Sequence, residues 1–148
     1  MDIVDIIIQA ELGNLEAQYV LGNCYMVGKG VEKDPNKAFE YLLKSAEQGF
    51  AEAQARIGYC YFEGLGVEQD YTKAFEWLNK ASLQGNHNGQ YLMGICYTLG
   101  YGVEKNYNLA VEWLQKAAEQ GDESAIELLK QFKIKKKSII DRFLDLFR

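Results

Sequence analysis

The sequence predicts an all-α solenoid of three helix-turn-helix repeats with N- and C-terminal capping helices. Three observations point there: an internal period of 36 residues, apolar side chains spaced by three and four, and 14 glycines against one proline in 148 residues. A period of that size marks stacked supersecondary units, each unable to bury its apolar stripe alone. Long helices joined by glycine turns fit this composition better than a loop-rich fold does.

The first element is a lone helix over Ile3–Leu12. Its end, Ala10-Glu11-Leu12-Gly13, matches Ala46-Glu47-Gln48-Gly49, so residues 1–16 read as a partial repeat that caps the first complete one. Three full units follow at 17–52, 53–88 and 89–124. Their register is set by Gly28-Lys29-Gly30-Val31-Glu32, Gly64-Leu65-Gly66-Val67-Glu68 and Gly100-Tyr101-Gly102-Val103-Glu104. Other columns keep the step: Gln18, Gln54 and Gln90; Gly22, Gly58 and Gly94; Leu42, Leu78 and Leu114; Lys44, Lys80 and Lys116.

Within a unit, Ala17, Leu21, Cys24 and Tyr25 form one apolar stripe, the first helix of the pair. Gly28 and Gly30 end it by supplying the backbone freedom a stop needs. Asp34-Pro35 opens the second helix as an N-cap followed by proline at the first helical position. Its buried stripe is Ala38, Tyr41, Leu42, Ser45 and Ala46, and Gly49 closes it. Small residues at Gly22, Ala38 and Ala46 mark where two backbones approach, and Tyr25, Tyr41 and Leu42 fill the space between pairs. After the repeats, Ala125-Ile126-Glu127-Leu128-Leu129 restarts the first-helix pattern, so residues 125–148 read as a C-terminal capping helix and a basic amphipathic tail.

Composition narrows the function classes. Apolar residues make up 48% and the chain holds ten Tyr and seven Phe, which excludes intrinsic disorder. The formal charge of −5 argues against a nucleic-acid backbone as ligand. From Lys133 onward six bases face two acids, so that segment carries +4 and the rest −9. No apolar run approaches the roughly 20 residues a bilayer demands. The start, Met1-Asp2-Ile3-Val4-Asp5, puts acids where an export signal carries bases, so a cytoplasmic protein is expected.

The repeated pattern Ala-x3-Leu-Gly-x2-Tyr-x2-Gly-x-Gly-Val-x2-Asp-x2-Lys-Ala-x2-Tyr/Trp-Leu-x-Lys-Ala closely resembles the Sel-1-like repeat, a relative of the tetratricopeptide repeat. The likeness covers Ala17–Ser124. Gly89 replaces the opening alanine, Asn106 the aspartate, and Leu109 the lysine found at Lys37 and Lys73. The resemblance implies a right-handed α/α superhelix and a bacterial adaptor that holds partner proteins rather than an enzyme. Family members with disulfides carry a bonded cysteine pair per repeat. Here one cysteine per repeat favours a reducing compartment.

Candidate sites follow. Cys24, Cys60 and Cys96 share a column, and packed helices place equivalent atoms about 8–10 Å apart. That separation suits neither a disulfide nor a zinc site, so these thiols are expected as small buried fillers. His87, the one histidine, is expected in an inter-repeat loop without a chemical partner. The glycine pairs are turns rather than phosphate cradles, since no strand precedes them. Neither cofactor nor metal is expected.

By analogy with tetratricopeptide superhelices, the first helix of each pair lines a concave groove. Tyr19, Asn23 and Met26 then face inward from the first repeat, Ala55, Tyr59 and Phe62 from the second, and Tyr91, Ile95 and Thr98 from the third. Such an aromatic, sparsely charged strip suits a peptide or helix of a protein partner. Tyr19, Tyr59, Phe62, Tyr91 and Ile95 are the expected anchors. A toxin-neutralising, immunity-like protein is the alternative setting, and a small enzyme or thiol-redox protein the rival class. The open solenoid ends allow weak self-association. In the tail, Ile139, Ile140, Phe143, Leu144 and Phe147 form an amphipathic stripe expected to cap the solenoid or pack back on the acidic body, with binding to a partner or to an anionic membrane as the alternatives. Asp141 and Asp145 interrupt its basic face, which argues against the membrane.

Overall fold

In a computed structural model describing residues 1–148, the chain forms eight α-helices and no strand. They are α1 (Ile3–Glu11), α2 (Leu15–Val27), α3 (Pro35–Glu47), α4 (Ala51–Glu63), α5 (Tyr71–Leu83), α6 (His87–Leu99), α7 (Tyr107–Glu119) and α8 (Glu123–Asp145). Each helix packs on its sequence neighbours, with α2·α3, α4·α5 and α6·α7 the tightest pairs. Three helix pairs are thus stacked in a row, with α1 covering one end and α8 the other.

Local chemistry sets the boundaries. Asn14, Asp34, Asp70, Asn86, Asn106 and Asp122 each accept a hydrogen bond from the backbone N–H three residues on. One such cap stabilises a helix by about 1 kcal/mol. Phe50 stands at the equivalent place before α4 without a side-chain cap; its ring packs instead against Tyr19, edge to face at 5.4 Å.

The core is two columns of side chains. Leu21, Ile57 and Met93 point from α2, α4 and α6, and Leu42, Leu78 and Leu114 from α3, α5 and α7; all are fully buried. Between them the paired helices touch at Gly22, Gly58 and Gly94. A Cβ built on Gly22 or Gly58 would lie 2.6 Å from Cγ of Leu42 or Leu78. At Gly66, with φ +68°, a side chain would collide with the carbonyl oxygen of Pro35 in the preceding repeat.

Successive repeats are joined by polar and aromatic links that repeat with the chain. The buried Gln18 and Gln54 donate to the carbonyls of Ala10 and Ala46, both at 3.2 Å. Within each repeat Gln48, Gln84 and Gln120 donate to the side-chain oxygens of Gln18, Gln54 and Gln90 at 2.7–2.8 Å, and Gln84 and Gln120 also reach back to the carbonyls of Gly49 and Gly85 in the preceding repeat. No buried side-chain polar atom lacks a partner. Phe39 meets Tyr61 at 5.4 Å and Phe75 meets Tyr97 at 5.6 Å, both edge to face across a repeat boundary. At the N-terminal end Tyr41 donates a hydrogen bond to Glu11, tying α3 to α1. That bond, with burial, pushes the phenol up to about 12.

Two expectations are corrected here. The C-terminal capping segment and the tail are one continuous helix of 23 residues. Its first half caps α7, burying Ala125 and Phe132, but residues 133–148 are exposed throughout, so the tail does not pack back on the body. His87 is the first residue of α6 rather than a loop residue. Its Nδ1 lies 2.9 Å from Oδ2 of Asp122, an inter-repeat partner 35 positions away.

The Gly58 contact yields a test. Gly58→Ala gains up to about 1 kcal/mol of helix propensity, but overpacking costs about 1–3 kcal/mol. Urea unfolding should show a net loss of about 1–2 kcal/mol. Truncating the clashing side chain as well should reveal strong coupling: Gly58→Ala/Leu78→Ala is expected to lose less than the sum of the single changes.

Candidate functional site

Helices α2, α4 and α6 lie side by side, and the residues off their core stripes form one continuous surface. Two clefts cross it. The first, about 400 Å3, is lined by Tyr19, Ala55, Tyr59, Tyr91 and Leu92, with Glu52, Arg56 and Asn88 at its polar side. The second, about 300 Å3, is lined by Val20, Asn23, Cys24, Met26 and Val27, with Lys29 and Arg56. Arg56 stands between the two and donates from Nε to Oδ1 of Asn23 at 3.1 Å, crossing from the second repeat to the first.

The first cleft owes its room to one small residue. Tyr19, Ala55 and Tyr91 occupy the same repeat column, and the alanine leaves a gap between two tyrosines. Tyr19, Tyr59 and Tyr91 are half-buried. Tyr19 is held in place by Phe50. Half-buried rings with a free polar edge are the residue type that anchors protein contacts.

The sequence-predicted groove residues divide. Tyr19, Ala55, Tyr59 and Tyr91 come together in the first cleft, and Asn23 and Met26 in the second. Phe62 does not line either cleft. It packs with Tyr71 and Tyr101, 5.5 Å from each, while those two rings stack at 4.1 Å. This cluster joins the second repeat's turn to the third's. Ile95 and Thr98 are half-buried outside the clefts, and the Thr98 hydroxyl donates to the Gly94 carbonyl at 2.7 Å. Sequence reasoning missed Arg56, the base at the centre of the surface. The signal was present: its column holds Val20 and Leu92, so an arginine there breaks an apolar row. The strip is thus more charged than expected.

The tail residues Ile140, Phe143, Leu144 and Phe147 are exposed on the distal half of α8, remote from the clefts. No group of three or more His, Cys, Asp or Glu side chains converges as a metal site would require. No helix is long and apolar enough to cross a membrane.

Cys24, Cys60 and Cys96 are free and buried, as the filler reading requires. Burial pushes the Cys60 thiol up to about 11 and that of Cys96 up to about 12. Both therefore stay protonated near neutrality, where the nucleophilic thiolate is scarce.

The family model for the Sel1 repeat matches residues 15–50, 51–86 and 87–122. The chain belongs to the Sel1 repeat family. The matched units keep the 36-residue step and open two residues before the frame read from the sequence, at the starts of α2, α4 and α6. Sel1 repeat proteins are generally protein-interaction modules and scaffolds without catalysis.

Among solved structures, the chain is similar to c5321, a protective antigen of uropathogenic Escherichia coli displaying an SLR fold. Identity is 42% over 81% of this chain, with a TM-score of 0.79. The match spans 26% of that longer protein. A Sel1 repeat protein from Oxalobacter formigenes is 38% identical, covering 86% of this chain and 96% of its own, with a TM-score of 0.77. Helicobacter pylori cysteine rich protein B is 25% identical over 84% of this chain and 94% of its own, with a TM-score of 0.67. No curated protein matches the chain.

The thiol environment gives two expectations. At pH 8 an aromatic disulfide reagent should titrate Cys60 and Cys96 only after denaturation, and three rapidly reacting thiols in the native protein would contradict their burial. Both pKa values are raised above the ordinary 9.0, so the unfolded chain ionises first. Their contribution to stability is complete below pH 9 and is lost as pH climbs toward 11–12. Unfolding midpoints measured across that range should fall.

Proposed function

We propose that this protein is an adaptor that holds a short segment or single helix of a partner protein in the surface formed by α2, α4 and α6. The observation that carries this reading is the first cleft. Tyr19, Tyr59 and Tyr91 stand around a gap created by Ala55, with Arg56 and Glu52 beside it. Its volume falls in the range of sites that take side chains or small ligands, roughly 300–1,000 Å3. Being open on one side, it admits a side chain from a segment that lies across the helices.

Each residue has a role in this reading. The three tyrosines supply apolar area with few rotatable bonds, so ordering them on binding costs little. Arg56 offers donors to an acidic or carbonyl group of the partner, and its bond to Asn23 pre-orients the guanidinium. Asn23 and Met26 extend the contact toward the first repeat. Membership of a family of interaction scaffolds supports the same conclusion.

The test is a capture experiment from lysate of the source cell, comparing wild type with Tyr19→Ala/Tyr59→Ala/Tyr91→Ala. A second variant, Ala55→Tyr, fills the cleft with the residue type its column carries in the neighbouring repeats. Circular dichroism should show both variants folded. Loss of the same partner in both supports the cleft, with affinity falling at least about tenfold for the triple alanine variant. Unchanged capture by both would contradict it.

A further inference from the structure

Helix α8 has 23 residues where α2 to α7 have 13 each. The excess lies past the end of its neighbour. Helix α7 begins at Tyr107, whose ring meets Phe132 at 5.2 Å, and from Lys133 onward every residue is exposed. This distal part reaches about 20 Å beyond the packed body. It nevertheless keeps an apolar stripe. Ala125, Leu128, Leu129 and Phe132 pack against the α7 cluster, and the same side of the helix continues as Ile139, Ile140, Phe143, Leu144, Leu146 and Phe147, which are 47–81% exposed. The Phe143 and Phe147 rings touch each other at 4.9 Å and nothing else in the fold covers them.

The charges around this stripe are ordered. At 3.6 residues per turn the six apolar positions span an arc of about 160°. Lys135 and Arg142 border it on one side and Lys137 on the other, while Arg148 pairs with Asp145 at 3.6 Å. Asp145 falls on the opposite side of the helix, and Asp141 lies beyond Lys137, outside the apolar arc. The acids thus stay off the apolar face and leave Lys135, Lys137 and Arg142 at its borders. Lys133 and Lys136 lie on the arc itself, Lys136 next to Tyr107, Phe132 and Ile139; a lysine there can lay its aliphatic stem along the apolar surface and keep its ammonium in water.

This arrangement selects among occupants. Two tails packed face to face would set Lys135, Lys137 and Arg142 of one against the same bases of the other, with both acids off the contact face. A return onto the groove would require a break that the helix, continuous to Asp145, does not have. A surface of anionic headgroups meets all three features. Apolar side chains enter below the headgroups, the flanking bases lie at their level, and the acids face water. We infer that residues 133–148 are a foot that docks this protein on an anionic lipid surface, leaving the concave groove free for its partner.

The test is co-sedimentation of the full chain with vesicles of pure phosphatidylcholine and of equal parts phosphatidylcholine and phosphatidylglycerol. The chain should sediment with the second and not the first, and release at about 0.5 M salt. Phe143→Glu/Phe147→Glu should lower the bound fraction at least about tenfold. Its thermal midpoint should stay at the wild-type value, because both rings are exposed. Lys135→Gln/Lys137→Gln should weaken binding, whereas Asp141→Asn/Asp145→Asn should leave it equal or stronger. No sedimentation with anionic vesicles, or equal sedimentation of the phenylalanine variant, overturns the inference. A concentration-dependent rise in mass by light scattering, abolished by Phe143→Glu/Phe147→Glu without vesicle binding, would assign the face to a second copy. Loss of a captured protein in that variant, again without vesicle binding, would assign it to a protein partner.

Discussion

The fold depends on the absence of a side chain at Gly22, Gly58 and Gly94. At each, the space a Cβ would take is filled by Leu42, Leu78 or Leu114 from the partner helix. This brings the two helices of a pair to their closest approach and fixes which faces remain. One face of each first helix is committed to its partner, another to the preceding element, through Gln18 and Gln54 in α2 and α4. The side left over carries the two clefts. That surface is thus what remains once the packing of each pair is satisfied, and its spacing follows from the 36-residue step.

Repetition makes the stack robust, and departures from repetition give it character. The glutamine ladder and the Phe39–Tyr61 and Phe75–Tyr97 contacts recur with the period and serve stability. Groove residues do not recur: the column of Tyr19 and Tyr91 holds Ala55, and that of Val20 and Leu92 holds Arg56. A binding surface on a solenoid must come from such breaks, because a perfectly periodic face offers the same contact everywhere and selects nothing. The first cleft lies where two of these breaks meet.

The two surfaces proposed for docking differ in physical kind. The groove is preformed, with Tyr19 held by Phe50 and Arg56 by Asn23. The tail is a helix with an uncovered apolar face, whose order comes from continuity with the docked half of α8. Their separation along the molecule means that occupation of one need not obstruct the other.

The 36-residue repeat, most helix starts and stops and the core columns were legible in the sequence, because each is set by local spacing and by residue types with narrow uses; the start of α6 was not, since His87 read as loop. Gly28 must end a helix, Asp34-Pro35 must start one, and Leu42 must be covered wherever its helix lies. What the sequence could not show is how side chains from distant positions meet. Phe62 looked like a groove anchor by column alone, and only the stacking of Tyr71 on Tyr101 drew it away from the clefts. His87 looked unpartnered until the stack set it beside Asp122. The tail's stripe was visible, but whether the body offered it a cover was not. Periodicity is a property of the chain and survives in one dimension; the cleft around Ala55, the place of Arg56 and the uncovered end of α8 depend on distances between repeats, which exist only once the helices are stacked.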